Sequence, residues 1–311
     1  MRKLLLSINL VLIFSLLCAG CKSTNTHMAS DIMRVSVILP HSDDEYWSKI
    51  EGSIKECLKV TAENGVDIKF YIPQINYNTE QMTQILKQQI AAKVDVIAVQ
   101  GNENNAYADA LKDAYNKGIH IICIDTDIPE FPDHLYIGTD NYQAGYSMGE
   151  HIVKEVGDTA KITIMSGEKG YPNLDERIRG LEEAFADYAG IVIDEILYDN
   201  YDGSTFMKCY NESGNDDTLV CIEGTAAQTI TRMFLQRDGH FKHLFAFDVT
   251  AGIPAGIVDG IMIQDNRQMG KLLVSELLNL KTKGSCSTGS IYTLTTWVTK
   301  DNYESVVNGN E

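Results

Sequence analysis

Positively charged residues are scarce in this chain of 311 residues. It contains 26 lysines and arginines against 43 aspartates and glutamates, so its formal net charge is -17. Proteins that bind DNA or RNA present clustered lysine and arginine, because the phosphate backbone has to be neutralised. The composition therefore argues against a nucleic-acid partner and fits a protein outside the cytoplasmic membrane, or one that binds an uncharged ligand.

Motifs of catalytic and cofactor sites are also missing. Neither G-x-S-x-G nor G-x-G-x-x-G occurs, and Gly167-x-x-Gly170 lacks the Lys-Ser/Thr that completes a phosphate-binding loop. The acidic stretch 199–202 is too sparse for a calcium loop, and the histidines show no metal-ligand spacing. We therefore expect no enzyme, no cofactor and no metal. A sugar hydrolase with paired carboxylates is the enzyme alternative.

The seven cysteines do not form a disulfide framework. Two of them lie in the N-terminal segment described below, and the remaining five are an odd number. Cys57, Cys123 and Cys221 fall in apolar helix or strand patterns, which predicts small core residues. Cys209 and Cys286 are left as residues that could pair.

Residues 1–20 are typical of a signal peptide. Two basic residues precede the apolar run Leu4–Leu17, which is short for a full membrane span. The following Leu-Cys-Ala-Gly-Cys resembles the lipobox of bacterial lipoproteins, in which the cysteine after the cleavage point receives a lipid. That resemblance implies lipidation of Cys21, with residues 21–33 as the lipidated cysteine and its polar tether. An uncleaved membrane anchor is the alternative.

From residue 34 onward, apolar strand-like runs alternate with segments of helical period. The first half shows strands at Val35–Leu39, Asp67–Ile72, Val94–Val99 and Ile119–Ile124. One helix is predicted after the first strand, with a face made of Ile50, Ile54, Cys57, Leu58 and Thr61. The pattern restarts near residue 140 and closes with a strand at Ile291–Val298. Two similar α/β halves, each a doubly wound parallel sheet, are therefore expected.

Polar and aromatic residues gather where the predicted strands end. In open parallel sheets, ligands bind outside the carboxyl ends of the strands. The ends of both halves carry acids, amides, one arginine and aromatic rings: Asp43, Asp44, Tyr46, Trp47, Gln100, Asn102, Asp125, Glu168, Arg177, Tyr201, Glu223, Asp248 and Gln264. Such a set suits a polyhydroxylated ring, whose hydroxyl edges need hydrogen-bond partners and whose C–H faces pack on aromatic rings.

Six stretches together resemble the type I periplasmic sugar-binding proteins (ribose/galactose-binding-like), whose core is shared by LacI-type regulators. They are VSVILPHSDDEYW, IICIDTDIP, IGTDNYQAGYSMG, DERIRGLEEAF, FAFDVT and IQDNRQMG. The resemblance implies two Rossmann-like lobes joined by three hinge crossovers. The lobes would be 34–139 plus 265–293 and 140–264 plus 294–311. The signal sequence stands where a LacI-type repressor has its DNA-binding domain, which argues against that role.

The resemblance also implies roles for individual residues. It places Asp44, Tyr46 and Trp47 in the first ligand-contacting loop. Further contacts are implied for Asp125, Arg177, Tyr201, Glu223, Asp248 and Gln264. Glu223 stands where the family usually has asparagine, so an amine on the ligand is an open alternative to a hydroxyl.

The implied function is a monomeric, extracytoplasmic solute-binding lipoprotein of the cell surface or periplasm, anchored to the membrane by the lipid on Cys21, that binds a monosaccharide-like molecule. In this set the acids outnumber Arg177 by four to one, so an anionic ligand would be repelled and a neutral sugar or polyol is favoured. The binding protein would deliver its ligand to the permease of an ABC transporter. The alternative partner is a membrane sensor, either a sensor kinase or a chemoreceptor.

Overall fold

The computed structural model describes residues 32–42, 45–102, 104–129, 131, 133–202, 204, 207, 218–236, 241–248 and 251–309. Cys21, Asp44 and Cys209 lie outside this part of the chain, together with the predicted signal peptide and most of the tether.

The elements of the first half alternate between strand and helix. They are β1 (Met33–Ile38), α1 (Glu45–Lys55), α2 (Leu58–Glu63), β2 (Val66–Tyr71), α3 (Thr79–Ala91), β3 (Val96–Val99), α4 (Asn105–Asn116), β4 (His120–Ile124) and β5 (Leu135–Thr139). The second half repeats the pattern with α5 (Asn141–Val156), β6 (Thr159–Ser166), α6 (Pro172–Phe185), β7 (Gly190–Tyr198), β8 (Thr218–Cys221), α7 (Gly224–Gln236), β9 (His243–Phe247) and β10 (Gly260–Gln264). The chain closes with α8 (Asn266–Lys283), β11 (Gly289–Thr293), β12 (Thr295–Thr299) and α9 (Tyr303–Gly309).

The strands form two six-stranded sheets with the same strand order. Their orders are β11-β5-β4-β3-β1-β2 and β12-β10-β9-β8-β6-β7, so each strand of the first sheet has a counterpart in the second. All pairs are parallel except β10 with β12, which is antiparallel. The predicted fold class, two α/β lobes built on parallel sheets, is confirmed.

Each sheet is covered on both faces because its strands are apolar on both sides. In the first sheet, Val35 and Val37 pack into one core cluster with α1 and α8, while Ile38 and Val99 pack into another with α3 and α4. The second sheet is likewise sandwiched between a cluster with α5 and α6 and a cluster with α7. Continuous burial of this kind is what a doubly wound parallel sheet requires.

The chain passes between the two sheets three times: from β5 to α5, from β10 to α8, and from β11 to β12. We call the first sheet with α1–α4 and α8 the N-terminal lobe, and the second sheet with α5–α7 and α9 the C-terminal lobe. The crossovers at β5 and β10 leave the carboxyl ends of those strands beside the cleft between the lobes.

Two elements that were predicted to be continuous are each divided in two. The helix predicted to run through Cys57 is interrupted: its last turn tightens to a hydrogen bond from Cys57 N–H to the Ile54 carbonyl, and α2 then starts at Leu58. The strand predicted at Ile291–Val298 is two strands in different sheets, because Leu294 lies at the crossover between β11 and β12. Helix α9 was not predicted.

The cysteines follow their predicted burial only in part. Cys123 and Cys221 are completely buried, as predicted. Cys57, also predicted as a core residue, is only half-buried because it lies at the interruption between α1 and α2, and Cys286 is half-buried as well. Within the described residues no helix combines the length and apolarity needed to cross a bilayer.

Candidate ligand-binding site

A cavity of about 110 Å³ lies between the two lobes, at the carboxyl ends of their strands. Eight of the nine predicted ligand-contacting residues line it: Tyr46, Trp47, Asp125, Arg177, Tyr201, Glu223, Asp248 and Gln264. The ninth, Asp44, lies outside the described residues. Residues that are distant in the sequence therefore come together at one site.

Asp125 is held in one orientation from three sides. The Tyr46 hydroxyl donates to its Oδ1 at 2.7 Å, and the side chains of Gln100 and Thr126 donate to its Oδ2 at 3.1 and 2.8 Å. The residue is 5% exposed, and its φ of 68° places the backbone in the left-handed region. These contacts fix the carboxylate toward the cavity before any ligand arrives.

Tyr46 and Trp47 each donate a hydrogen bond to a neighbouring residue of the site. Burial, followed by the charge of Asp125, raises the pKa of Tyr46 well above its usual value, so the hydroxyl remains a donor to Asp125. Trp47 is only 2% exposed, belongs to the core of the N-terminal lobe, and donates its indole N–H to the Tyr77 hydroxyl at 2.9 Å. Both side chains therefore orient neighbouring residues as well as lining the cavity.

Arg177 is the buried cation of the site. It projects from α6, is 2% exposed, and donates to the Asn141 side chain at 2.9 Å, the Ile222 carbonyl at 2.8 Å and Gln264 Oε1 at 2.8 Å. The guanidinium also lies 4.0 Å from the ring centre of Phe247. Three of its five N–H donors go to these neutral acceptors, which leaves the charge available to a ligand in the cavity.

Gln264 connects the lobes at the hinge. Its Oε1 accepts from Thr139 at 2.8 Å as well as from Arg177, and its Nε2 donates to the two oxygens of Asp248 at 3.1 and 3.3 Å. Thr139 ends β5 in the N-terminal lobe, whereas Arg177 and Asp248 belong to the C-terminal lobe. One amide therefore couples the hinge to two charged groups of the site.

Glu223 caps a helix. Its two oxygens accept from the backbone N–H groups of Thr225 and Ala226, at 2.7 and 2.6 Å, at the start of α7. Burial raises the pKa of Glu223, and the two backbone hydrogen bonds act in the opposite direction. The carboxylate lines the cavity, but part of its hydrogen-bonding capacity already serves the helix.

Tyr201 meets an aromatic partner that was not predicted. Its ring stacks on Tyr77 of the N-terminal lobe, with centroids 5.3 Å apart and planes within 10°. Gly167 makes room for it, because a Cβ there would lie 2.4 Å from the Tyr201 ring. Burial raises the pKa of Tyr201 well above its usual value, so the hydroxyl stays protonated. The Tyr77–Tyr201 stack bridges the two lobes beside the cavity.

Other contributors were missed or only partly recognised by sequence reasoning. Tyr77 lies in a turn after β2 with φ 57°, and no periodic pattern marked it. The Asn102 amide donates to the Tyr171 hydroxyl at 2.9 Å, a second contact between the lobes. Asn102 was recognised as a strand-end residue, whereas Tyr171 precedes a helix and gave no signal. Among the other strand-end residues, Gln100 lines the cavity and Glu168 a neighbouring groove. Asp43 lies outside the described residues.

Known proteins share this architecture. A solute-binding protein of an ABC transporter from Burkholderia graminis, solved with D-arabinose, is 26% identical over 88% of this chain and 98% of its own, with a TM-score of 0.76. GanP, a glucose-galactose binding protein from Geobacillus stearothermophilus, is 23% identical over 88% and 99%, with a TM-score of 0.78. XylFII in a complex with LytSN is 22% identical over 86% and 98%, with a TM-score of 0.71. No protein of curated function matches the sequence.

A family profile agrees with these structural likenesses. The profile described as periplasmic binding protein domain matches residues 35–285, which is most of both lobes. Together with the two topologically equivalent sheets and the cleft between them, this match assigns the family. The chain belongs to the periplasmic binding proteins and has their type I architecture.

Proposed function

We propose that this protein is an extracytoplasmic solute-binding lipoprotein that holds a neutral sugar or polyol between its lobes and delivers it to an ABC transporter. The observation that carries the proposal is the interlobe cavity, where Asp125 of one lobe faces Arg177 and Asp248 of the other. The protein would bind its ligand without changing it chemically.

The polar groups of the cavity match the hydroxyl groups of a sugar. Each hydroxyl both donates and accepts a hydrogen bond. Asp125 and Asp248 are acceptors on opposite lobes, and Arg177 is a donor on the C-terminal lobe. Because Asp125 and Arg177 are already fixed by several hydrogen bonds each, little side-chain entropy is lost when a ligand binds.

The charge of the lining favours a neutral ligand. The charged residues that line the cavity are four acids, Glu45, Asp125, Glu223 and Asp248, and two cations, Lys49 and Arg177. A phosphorylated sugar would meet a net negative surface. Since both oxygens of Glu223 accept backbone hydrogen bonds, we favour a ligand hydroxyl over an amine at this position.

Proteins of similar fold support the ligand class. The Burkholderia graminis protein was solved with D-arabinose, GanP is described as a glucose-galactose binding protein, and a Caulobacter protein of this fold was solved with myo-inositol. All are uncharged polyhydroxylated rings or their open forms.

Binding would be coupled to closure of the lobes. Only when the lobes are together does the ligand contact Asp125 on one side and Arg177 and Asp248 on the other. The ligand therefore stabilises the closed arrangement by its differential contacts. A closed, loaded protein is the form that a membrane partner would distinguish from the open one.

Calorimetry with a panel of neutral pentoses, hexoses and cyclic polyols tests the ligand class. We expect at least one member to bind with a Kd near the micromolar range, about -8 kcal/mol. Asp248→Asn should weaken that ligand about 10- to 100-fold, because a charged acceptor is lost. Asp194→Asn, an exposed acid on β7 paired with Lys161, is the matched control and should bind normally. Absence of binding across the panel would refute the sugar proposal.

A second candidate partner is a membrane sensor in place of a permease. The observation that favours it is the solved complex of XylFII with LytSN, since XylFII has this fold. Photo-crosslinking of the ligand-loaded protein in membranes, followed by mass spectrometry of the captured protein, separates the two: a transporter permease supports delivery, and a sensor protein supports signalling.

The lipid anchor is tested at Cys21. We expect metabolic labelling with a radioactive fatty acid to mark the wild-type protein and to place it in the membrane fraction. Cys21→Ser should abolish the label and release the protein. If the variant keeps the label, Cys21 is not the lipidated residue.

A further inference from the structure

A thiol, a carboxylate and an imidazole converge on the N-terminal lobe outside the ligand cavity. Sγ of Cys123, a carboxylate oxygen of Asp127 and a ring nitrogen of His134 all lie within 4.8 Å of one another. Cys123 lies on β4, Asp127 follows that strand, and His134 immediately precedes β5. The β4–β5 connection therefore brings three potential metal ligands together.

The hydrogen bonds of His134 leave one ring nitrogen facing the acid. Nδ1 lies 3.1 Å from the Phe131 carbonyl, which can only accept, so the tautomer with its proton on Nδ1 makes this hydrogen bond. Nε2 lies 2.6 Å from Oδ1 of Asp127. In the neutral ring, Nε2 and the carboxylate then present lone pairs to each other. Such a pair requires a cation between them, either a second proton on the ring or a metal ion.

The surroundings of the imidazole are those of a metal ligand. Histidines that bind metals usually donate their other ring N–H to a backbone carbonyl or carboxylate, which fixes the tautomer and the ring orientation. The Phe131 carbonyl has this position toward His134. The thiol of Cys123 adds a third donor that a simple histidine–aspartate ion pair does not need.

We propose that Cys123, Asp127 and His134 form a binding site for a divalent cation of the Zn²⁺ type, which no function assigned above requires. A thiolate and an imidazole select Zn²⁺ or Co²⁺ over Mg²⁺ and Ca²⁺, which prefer oxygen ligands. One thiolate, one carboxylate and a neutral imidazole balance the two charges of the ion. Binding displaces the thiol proton of Cys123 to solvent.

The dimensions suit one ion. Zinc bonds of about 2.0–2.3 Å in a tetrahedral site put neighbouring ligand atoms about 3.3–3.8 Å apart. The atoms of Asp127 and His134 would therefore separate by about 0.7 Å when the ion enters. The Asp127 side chain is 27% exposed and that of His134 is 9% exposed, whereas Cys123 is buried. The ion would thus arrive from the side of Asp127, with water as its fourth ligand.

This site could not be predicted from the sequence because the spacing between Cys123, Asp127 and His134 matches no metal motif. The three residues meet because β4 and β5 are hydrogen-bonded neighbours in the sheet, with Cys123 paired to Tyr136. The expectation of no metal followed from linear spacing alone, and the proposal rests on proximity in the fold.

Equilibrium dialysis of the purified protein against Zn²⁺, with elemental analysis, tests the proposal. We expect the wild type to bind one Zn²⁺ ion per chain. Cys123→Ser and Asp127→Asn should each weaken the affinity for that ion at least tenfold. His243→Gln is the matched control. His243 also lies beside an acid, with Nδ1 3.9 Å from Oδ2 of Asp259, but within the described residues it does not belong to a group of three potential metal ligands. The control should bind Zn²⁺ as the wild type does.

The unaltered protein provides a test that does not depend on the folding of any variant. Co²⁺ added to it should produce a thiolate-to-cobalt charge-transfer absorption and the d–d bands of a four-coordinate ion. Cooperative thermal unfolding identifies variants that are folded. Absence of the thiolate band would overturn the proposal. Equal Zn²⁺ binding by the wild type and Cys123→Ser would also overturn it, because the ion would then lie elsewhere. The same holds if the wild type binds no Zn²⁺, since a proton would then lie between His134 and Asp127.

Discussion

Asp125 and Asp248 each have a left-handed backbone at the end of the equivalent strand of their sheet. Their φ angles are 68° and 67°, and each amide donates to the neighbouring strand, to Ile137 at 3.0 Å and Met262 at 2.7 Å. Such conformations cost non-glycine residues about 1–3 kcal/mol. The strained turn directs both carboxylates to the cavity, which accounts for its presence at the same position in both lobes.

Asp199 is a buried acid that lowers the stability of the folded protein when it is ionised. It is completely buried, its Oδ1 accepts from the Tyr201 amide, and its Oδ2 has no partner within the described residues. Burial, followed by the charge of Glu223, raises the pKa of Asp199 from its usual 3.8 to about 7. In this range the folded protein binds a proton that the unfolded chain has released, so stability falls as the pH rises from about 4 to 7.

We predict that Asp199→Asn raises the free energy of unfolding at pH 8 and removes this pH dependence. The pKa change corresponds to at most about 4 kcal/mol, and the neutral amide keeps an acceptor for Tyr201. Urea titrations at pH 5 and pH 8 measure the effect. Asp194→Asn, exposed on β7, the strand that ends just before Asp199, should change neither value. Equal stability of wild type and Asp199→Asn at pH 8 would contradict the prediction.

At the scale of the elements, helices α5 and α6 pack so closely that their backbones touch at glycines. A Cβ added to Gly145 on α5 would lie 2.2 Å from the carbonyl oxygen of Arg177 on α6. This packing places the guanidinium of Arg177 against Asn141 at the start of α5. The position of the buried cation therefore depends on the absence of a side chain one turn away.

We predict that Gly145→Ala destabilises the protein by about 1–3 kcal/mol, as overpacking does, and weakens sugar binding by displacing Arg177. Gly52→Ala is the matched control on α1, because no atom lies within 4 Å of its added Cβ. Alanine is the better helix former, so this control should gain up to about 1 kcal/mol. Urea unfolding and calorimetry measure both variants. We expect Gly145→Ala to lower the free energy of unfolding and Gly52→Ala to raise it. An unchanged free energy of unfolding for Gly145→Ala would contradict the packing argument.

Most elements could be predicted because their local patterns agree with their burial. The apolar run before residue 100 became β3, at Val96–Val99, and the helical period from Met269 became α8. The failures share a physical cause. Thr61 was predicted on the buried face of the first helix. It is buried, but it lies on α2, a separate helix. Tertiary contacts rather than periodicity decide where a helix is interrupted. Leu294 is apolar yet 74% exposed, because it lies at a crossover.

At the scale of the whole molecule, side-chain contacts beside the cavity join the lobes in addition to the Thr139–Gln264 hydrogen bond at the hinge. Tyr77 stacks on Tyr201 with centroids 5.3 Å apart, and Asn102 donates to Tyr171 at 2.9 Å. The first is an aromatic contact of about 0.5–1.5 kcal/mol beyond its area burial. Both exist only while the lobes are together, so they bias the protein toward the closed arrangement.

We predict that Tyr77→Ala shifts the ligand-free protein toward the open arrangement and weakens sugar binding about three- to tenfold, because the lost stacking energy no longer favours closure. Tyr77→Phe keeps the stacked ring and removes only the hydroxyl that accepts from Trp47, so this variant separates the effect of the stack from that of the hydrogen bond. Small-angle scattering should show a larger radius of gyration for Tyr77→Ala without ligand and a wild-type value at saturating sugar. An unchanged radius in the ligand-free variant would show that the stack does not hold the lobes.

The candidate site was predicted in its composition but not in its connections. Eight of the nine ligand-contacting residues expected from the sequence line the cavity, because strand ends of parallel sheets converge. Their hydrogen-bond partners could not be predicted: Glu223 caps α7, Trp47 supports Tyr77, and Gln264 links Thr139 to Arg177. Those contacts depend on side-chain directions that no sequence period encodes.

By itself the sequence determined two α/β halves with polar strand ends, because hydrophobic periodicity and residue polarity are local properties that each segment carries. The tertiary structure decided which residues meet across the lobes and across neighbouring strands. It brought Tyr77 to Tyr201 and Asn102 to Tyr171, and placed Cys123 beside His134. The physical reason is that such pairs are joined by the register of the sheets and the position of the lobes, both of which are set only when the whole chain is packed.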